Sequence, residues 1–267
     1  TGIVFGVLFH TAGLILRWYI SGYAPWTNGY ESLIYIAWAI SLAGILIAWN
    51  SIGGMAATIA ITSIILWIAK LSYLDPEITP LIPVLNSKWL ILHVSIVAGS
   101  YGFLLLGAIL GFINLLLMLM LKEYNKKRLL AIITELSYLG ERALMVGIAL
   151  LSVGTFLGGV WANESWGRYW GWDAKETWAL ISILVYAFIL QLHLIPKLSG
   201  LFAYNVAALF GLSSVIMTYC GVNYYLSGLH SFAAGNPMPV PAWVYIILAG
   251  LIMTSIGAYQ RKKKLNI

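Results

Sequence analysis

Apolar runs close to twenty residues long recur eight times along the chain, roughly over 3–20, 32–49, 55–73, 91–121, 143–161, 178–195, 201–221 and 241–259. Wound as a helix, a run of that length spans the hydrocarbon layer of a bilayer, about 30 Å thick. A membrane-spanning barrel would need alternating strands of about ten residues instead, and backbone groups left unpaired in hydrocarbon are too costly for any open sheet. Over 267 residues the chain is 61% hydrophobic and 9% charged, which excludes a water-soluble domain. The expectation is an all-α, polytopic integral membrane bundle of about eight helices, forming a single domain over 1–267.

Charge placement orients such a bundle. Lys122, Lys126, Lys127, Arg128, Arg142, Lys197, Arg261, Lys262, Lys263 and Lys264 fall on one side, leaving Arg17, Lys70, Lys88, Arg168 and Lys175 at or near the other. The positive-inside rule then puts both termini in the cytoplasm. The net charge of +6 is therefore mostly a topology signal; the basic clusters flank spans and form no solvated face for nucleic acid. Residues 129–141 place Leu129, Ile132, Ile133, Leu136 and Leu139 at helical spacing opposite Glu135 and Glu141, a pattern expected of a cytoplasmic surface helix. The first span begins almost at Thr1 without a charged leader or cleavable signal pattern, consistent with a fragment or with the membrane half of something longer. The inverted repeats common in transporters are not evident.

Between two spans the segment 161–178 carries Trp161, Trp166, Tyr169, Trp170, Trp172 and Trp178, interleaved with glycines and charges. Interfacial tryptophans ordinarily anchor a helix among lipid headgroups, but anchoring predicts scattered rings. A loop this dense makes an aromatic shelf on the outward side, suited to a large, flat, apolar ligand. Asp173 and Glu176 form a capping box at the start of the sixth span, which would stiffen the shelf. Arg168 and Lys175 lie within it and could meet carboxylates of a ligand. In the first outward loop, Arg17 and Glu31 are placed to form a bracing ion pair.

Ionisable residues within membranes are rare and usually functional, and four histidines sort by depth. His93 opens the fourth span and His230 lies in the outward loop 221–241, both on the face of the shelf. Two opposed imidazoles between aromatic walls could grip the iron of a porphyrin. His193 lies fifteen residues into the sixth span, about 22 Å below its outer start, on a stripe with Ser182, Tyr186 and Ile189. His10 belongs to the inner half of its span, on a stripe with Gly6, Gly13 and Arg17, where a ligand role and a buried hydrogen-bonded role are equally compatible with the residues. Two outer and two inner histidines point to two haem or metal stations. Cys220 is the single cysteine, so the chain has no disulfide, no Cys-x-x-Cys pair and no covalent haem attachment motif of its own; a packing role fits it best.

The block WGRYWGWDAKETW, 166–178, resembles the WWD signature of haem-handling proteins, and the surrounding sequence is similar to the CcsA (ResC) family of system II cytochrome c biogenesis. Three further segments carry the resemblance: HTAGLILRWYISGYAPWTNGYESL from His10, LHVSIVAGSYG around His93, and VNYYLSGLHSFA around His230. The resemblance implies a holocytochrome c synthase working with a CcsB (ResB) partner, sometimes fused to it, that moves haem b (iron protoporphyrin IX) across the membrane and joins it to the Cys-x-x-Cys-His motif of apocytochrome c. It implies that His93 and His230 are axial ligands of the external haem, and that His193 ligates a membrane haem together with a histidine of the partner. Trp161, Trp166, Tyr169, Trp170, Trp172 and Asp173, with Arg168 and Lys175, would make the cofactor-binding face. Thiol-reducing partners outside and a bacterial cytoplasmic membrane with an extracytoplasmic active face follow from the same resemblance, the thylakoid being the alternative location. Ala174 departs from the proline usual after the aspartate, loosening the cap slightly without removing a ligand; Tyr23 stands where relatives often carry histidine. A b-type electron carrier and a haem exporter without ligation activity are the rival readings.

Overall fold

A computed structural model describes residues 2–71, 76–78, 87–226, 228 and 239–265. Among these residues there is no strand. The helices are α1 (Gly2–Ser21), α2 (Gly29–Ala48), α3 (Ile52–Ala69), α4 (Lys88–Leu119), α5 (Lys126–Trp166), α6 (Ala174–Leu190), α7 (Leu201–Ile216), α8 (Val222–Tyr225) and α9 (Ala242–Lys264). Each of the eight apolar runs carries a helix, and seven helical segments are long and apolar enough to cross a membrane. The exception is α6, which stops after 17 residues at Leu190, five short of the expected end. The protein is thus an all-helical, multi-pass membrane protein.

The helix expected over 129–141 is present but does not end there, because no proline or capping residue separates it from the next apolar run. It continues as α5 for 41 residues, about 60 Å, or twice the hydrocarbon thickness. Its apolar stripe is turned into protein, with Ile133, Leu136 and Leu139 buried, and the charged first turns continue the same rod.

The chain forms two compact units whose boundaries fall inside α4, α5 and the loop after α5: residues 1–106 with 143–171, and 107–142 with 172–267. The first unit is built on close helix approach. Gly102 on α4 faces α2 so tightly that a Cβ there would lie 2.7 Å from Ala39 Cβ and 2.9 Å from the Ile40 nitrogen. Antiparallel α4 and α5 meet at Leu104 with Gly147, Val97 with Gly154 and His93 with Gly158. Each advance along one helix equals the retreat along the other, and the small partner always comes from α5, as membrane helices without a hydrophobic drive to associate require. Between α1 and α2, Trp38 Nε1 donates to Thr11 Oγ1 at 2.8 Å.

In the second unit, Leu115, Met118, Leu121, Ile133, Leu209, Ala258 and Leu265 form an apolar core. Beside it Asn114, Ser137 and Asn205, all buried, close a ring of side-chain hydrogen bonds: Asn114 Nδ2 donates to Ser137 Oγ (3.0 Å) and Asn205 Oδ1 (2.9 Å), and Asn205 Nδ2 donates to Ser137 Oγ (2.9 Å). The end of α7 relaxes into a π-turn, Met217–Gly221, which carries Cys220. That cysteine is exposed and does not take the packing role expected of it.

Gly102→Ala should lower stability by about 1–3 kcal/mol, since neither the Ala39 Cβ nor the Ile40 backbone can yield cheaply. Gly250→Ala, where nothing lies within 4 Å of the added carbon, should leave the unfolding temperature in detergent unchanged or slightly raised.

Candidate functional site

His93 sits in the second turn of α4, and its position follows from two glycines on α5. Its Nδ1 lies 2.7 Å from the Gly154 carbonyl oxygen. A carbonyl only accepts, so Nδ1 carries the proton and the lone pair resides on Nε2, the arrangement seen in metal-ligating imidazoles. Gly158 supplies the space: a Cβ there would stand 2.6 Å from Cε1 and 2.8 Å from Nδ1. The ring therefore lies flat against the α5 backbone.

The next residue, Gly159, receives the aromatic loop, with the Tyr169 carbonyl oxygen 3.0 Å from where its Cβ would be. Consecutive glycines thus bring His93 and the loop backbone to adjacent faces of the last turns of α5. Ser87 Oγ donates to Glu164 Oε2 at 2.9 Å, a second tie between the start of α4 and the end of α5.

Helix α5 ends after Trp166 because Gly167 adopts a left-handed conformation, φ 71°, the usual helix stop. Within the first unit, Trp161 is buried and meets Trp166 edge to face, ring centroids 4.8 Å apart. Trp161 is therefore a floor to the loop rather than part of an exposed shelf. The Arg168 guanidinium lies 5.8 Å from the Trp166 ring centre and folds over Gly171, whose Cβ it would overlap. Trp170 is half-buried, whereas Tyr169 is 64% exposed.

Trp172, in the second unit, is 68% exposed and has φ 57°, a left-handed backbone that a bulky residue adopts only under constraint. Asp173 then caps α6, accepting from the Lys175 nitrogen (3.0 Å) and the Glu176 nitrogen (2.9 Å), while Glu176 Oε2 accepts from the Asp173 nitrogen (3.2 Å). The capping box expected from the sequence is formed. Lys175 Nζ donates to Asn223 Oδ1 of α8 at 2.9 Å, a partner that spacing alone did not indicate. Burial draws its ammonium down to about 8, against the opposing pull of Asp173. A Cβ at Gly228 would rest 3.6 Å from Asp173 Oδ2, so the segment after α8 begins against the cap.

His230 lies outside the described residues, and its pairing with His93 is an expectation. His193 falls off the stripe expected for it. Ser182, Tyr186 and Ile189 are buried as foreseen, but α6 ends at Leu190 and His193 occupies a 3-10 turn, Leu192–Leu194. It is exposed, with Nδ1 3.0 Å from the Leu190 carbonyl oxygen. Pro196, six residues past Leu190, keeps the helix from continuing through this segment. His10, on α1, is half-buried. Arg17 Nε donates to Glu31 Oε1 at 2.8 Å, the expected ion pair, and Glu31 Oε2 accepts from the Thr27 nitrogen and hydroxyl at 2.8 and 2.7 Å. Among the described residues, no three His, Cys, Asp or Glu side chains gather to hold a bare metal ion.

A multi-pass helical bundle with an imidazole pinned beside a tryptophan-rich, helix-capped loop is the class that these elements define. The sequence profile of the cytochrome c assembly protein family matches residues 26–230, and the chain belongs to that family. It is 48% identical over 257 residues to the protein NrfI of Wolinella succinogenes, covering 96% of this chain and 28% of NrfI. It is 36% identical over 260 residues to the cytochrome c biogenesis protein CcsA of Prochlorococcus marinus strain NATL1A, covering 84% of this chain and 81% of that protein. With CcsA of Synechococcus sp. strain CC9902 it shares 38% over 255 residues, covering 84% and 83%. The chain thus spans little more than a quarter of NrfI and about four-fifths of the CcsA proteins. Its role lies in cytochrome c biogenesis.

Gly158→Ala should push the imidazole off α5 and lower stability by about 1–3 kcal/mol, measured as a fall in the unfolding temperature in detergent. Lys175 yields a pH signature. Its folded-state value near 8 lies below the ordinary 10.5, so between those values the unfolded chain binds more protons and stability gains with rising pH. The stability difference between wild type and Lys175→Met should therefore move toward wild type from pH 8 to 10.5. A flat difference would show that Lys175 is not buried as described.

Proposed function

We propose that the chain presents haem b at the extracytoplasmic face of a bacterial cytoplasmic membrane for covalent attachment to apocytochrome c, acting with a CcsB-type partner. The reading rests on one observation above others: the Nδ1 bond of His93 to Gly154, which makes Nε2 the lone-pair nitrogen of an imidazole seated on the same turns of α5 that receive the aromatic loop. That is the donor chemistry an axial iron ligand needs. His230 is the second ligand in this reading, and exposed His193 takes a membrane haem together with a histidine of the partner. His10, half-buried on α1, keeps a structural role in this reading.

When bound, haem supplies two vinyl groups and an iron that accepts two imidazoles. Each substrate cysteine adds its sulfur to one vinyl carbon and its hydrogen to the neighbouring carbon, so the addition is redox-neutral. In the first unit Tyr169 offers an exposed ring face, Trp161 and Trp166 support the loop from below, and Arg168 is the cation for a propionate; in the second, Trp172 offers an exposed ring and Lys175 anchors the cap of α6. These residues act by placing the vinyl edge toward the arriving thiols. No side chain is assigned as acid or base. External thiol-reducing partners keep the substrate cysteines reduced.

Reconstitution of the full-length protein with its partner, reduced haem and a Cys-x-x-Cys-His peptide should yield a thioether-linked product, detected by its mass. An exporter or an electron carrier would leave the peptide unmodified. His93→Ala should lose the bis-imidazole spectrum and product formation, and added imidazole should restore both; an unaltered spectrum in that variant would remove His93 from the site.

A further inference from the structure

Polar groups in the membrane-embedded part of the second unit form a series that the haem chemistry does not use. Ser182 and Thr218 share a hydroxyl hydrogen bond of 3.0 Å between α6 and the π-turn, and both are buried. One helical turn further along α6, Tyr186 is fully buried. Among the described residues, its hydroxyl has no hydrogen-bond partner, nor does the buried hydroxyl of Tyr204 on α7. Tyr186 packs on α7, where a Cβ at Gly211 would lie 3.5 Å from its Cε1 and 3.7 Å from its Cζ. The Tyr204 hydroxyl packs on α5, where a Cβ at Gly140 would lie 3.3 Å away.

About 4.5 Å along α5 from Gly140, at three residues' rise, is Ser137 of the Asn114–Ser137–Asn205 ring. The orientation of that ring is determined. Asn205 Nδ2 must donate to the Leu201 carbonyl, at 2.7 Å, so Asn205 Oδ1 faces Asn114 and only Asn114 Nδ2 can answer it. Asn114 Oδ1 is thereby turned outward from the ring, buried and without a partner among the described residues.

We infer that α4, α5, α6 and α7 enclose bound water, held on the hydroxyls of Tyr186 and Tyr204 and on Asn114 Oδ1. The chemistry selects the ligand. Asn114 Oδ1 accepts only, which excludes a carboxylate or phosphate; phenolic hydroxyls must donate as well as accept, which a cation cannot serve. Water does both, and two to four polar partners suffice to hold it. Hydrocarbon offers these groups no alternative partner. All of these groups belong to the second unit.

X-ray radiolytic labelling of the full-length protein in nanodiscs with 18O water tests this without reference to haem, because hydroxyl radicals form at bound water. Tyr186, though sealed from bulk solvent, should be modified at a rate approaching that of exposed Tyr124. In the Tyr186→Phe/Tyr204→Phe protein, which keeps both rings, labelling at position 186 should fall several-fold; Tyr186→Phe alone serves if the double variant is not recovered. Slow labelling of Tyr186 in the wild type, at the rate of apolar core residues, would overturn the inference. Labelling that persists undiminished without the hydroxyls would overturn it equally.

Discussion

The hydrogen bond from His93 Nδ1 to the Gly154 carbonyl depends on two helices approaching until an imidazole rests on bare backbone. Glycines at 147, 154 and 158 set that separation. With any larger side chain at 158 the ring would be displaced, the tautomer would lose its acceptor, and the lone pair would no longer have a defined direction. The adjacent Gly159 places the aromatic loop by the same means. In the first unit, imidazole and loop share α5 as a common template, so neither can shift without the other.

The loops that the site requires are held by polar bonds rather than by apolar burial, a sound choice where the apolar surface is matched to lipid. Glu31, fully buried, has both carboxylate oxygens engaged, by Arg17 and by Thr27. A buried ion pair gains little net energy against its desolvation, but breaking it leaves a charge stranded, which makes the loop between α1 and α2 intolerant of partial change. At the start of α6 the reciprocal Asp173 and Glu176 bonds contribute about 1 kcal/mol in the usual range of helix caps. Lys175 extends that anchorage to α8 through Asn223. Its retention as a charged partner so near a membrane is explained by this bond together with Asp173.

Much of this organisation was legible in the residues. The eight apolar runs, the capping box at Asp173 and the Arg17–Glu31 pair depend on local spacing or on strong chemical complementarity, and each appears where the sequence placed it. The departures share a cause: they depend on where a helix stops or on what crosses from another helix. His193 leaves its stripe because α6 ends at Leu190, and a helix end in an apolar run has no strong spacing signature. The rod of α5 merges two expected elements because a single residue, Arg142, is no break. That Gly154 and Gly158 seat an imidazole can be seen only once α4 and α5 are in register. The Lys175–Asn223 bond, 48 residues apart, is likewise a product of the fold.

Trp172 occupies a backbone region that glycine would enter without strain, and yet the position carries the largest side chain available, mostly open to its surroundings. A chain optimised for ease of folding would place no indole there. The conformational expense at this single residue marks the turn around it as a part of the molecule where ease of folding has been subordinated to displaying an indole.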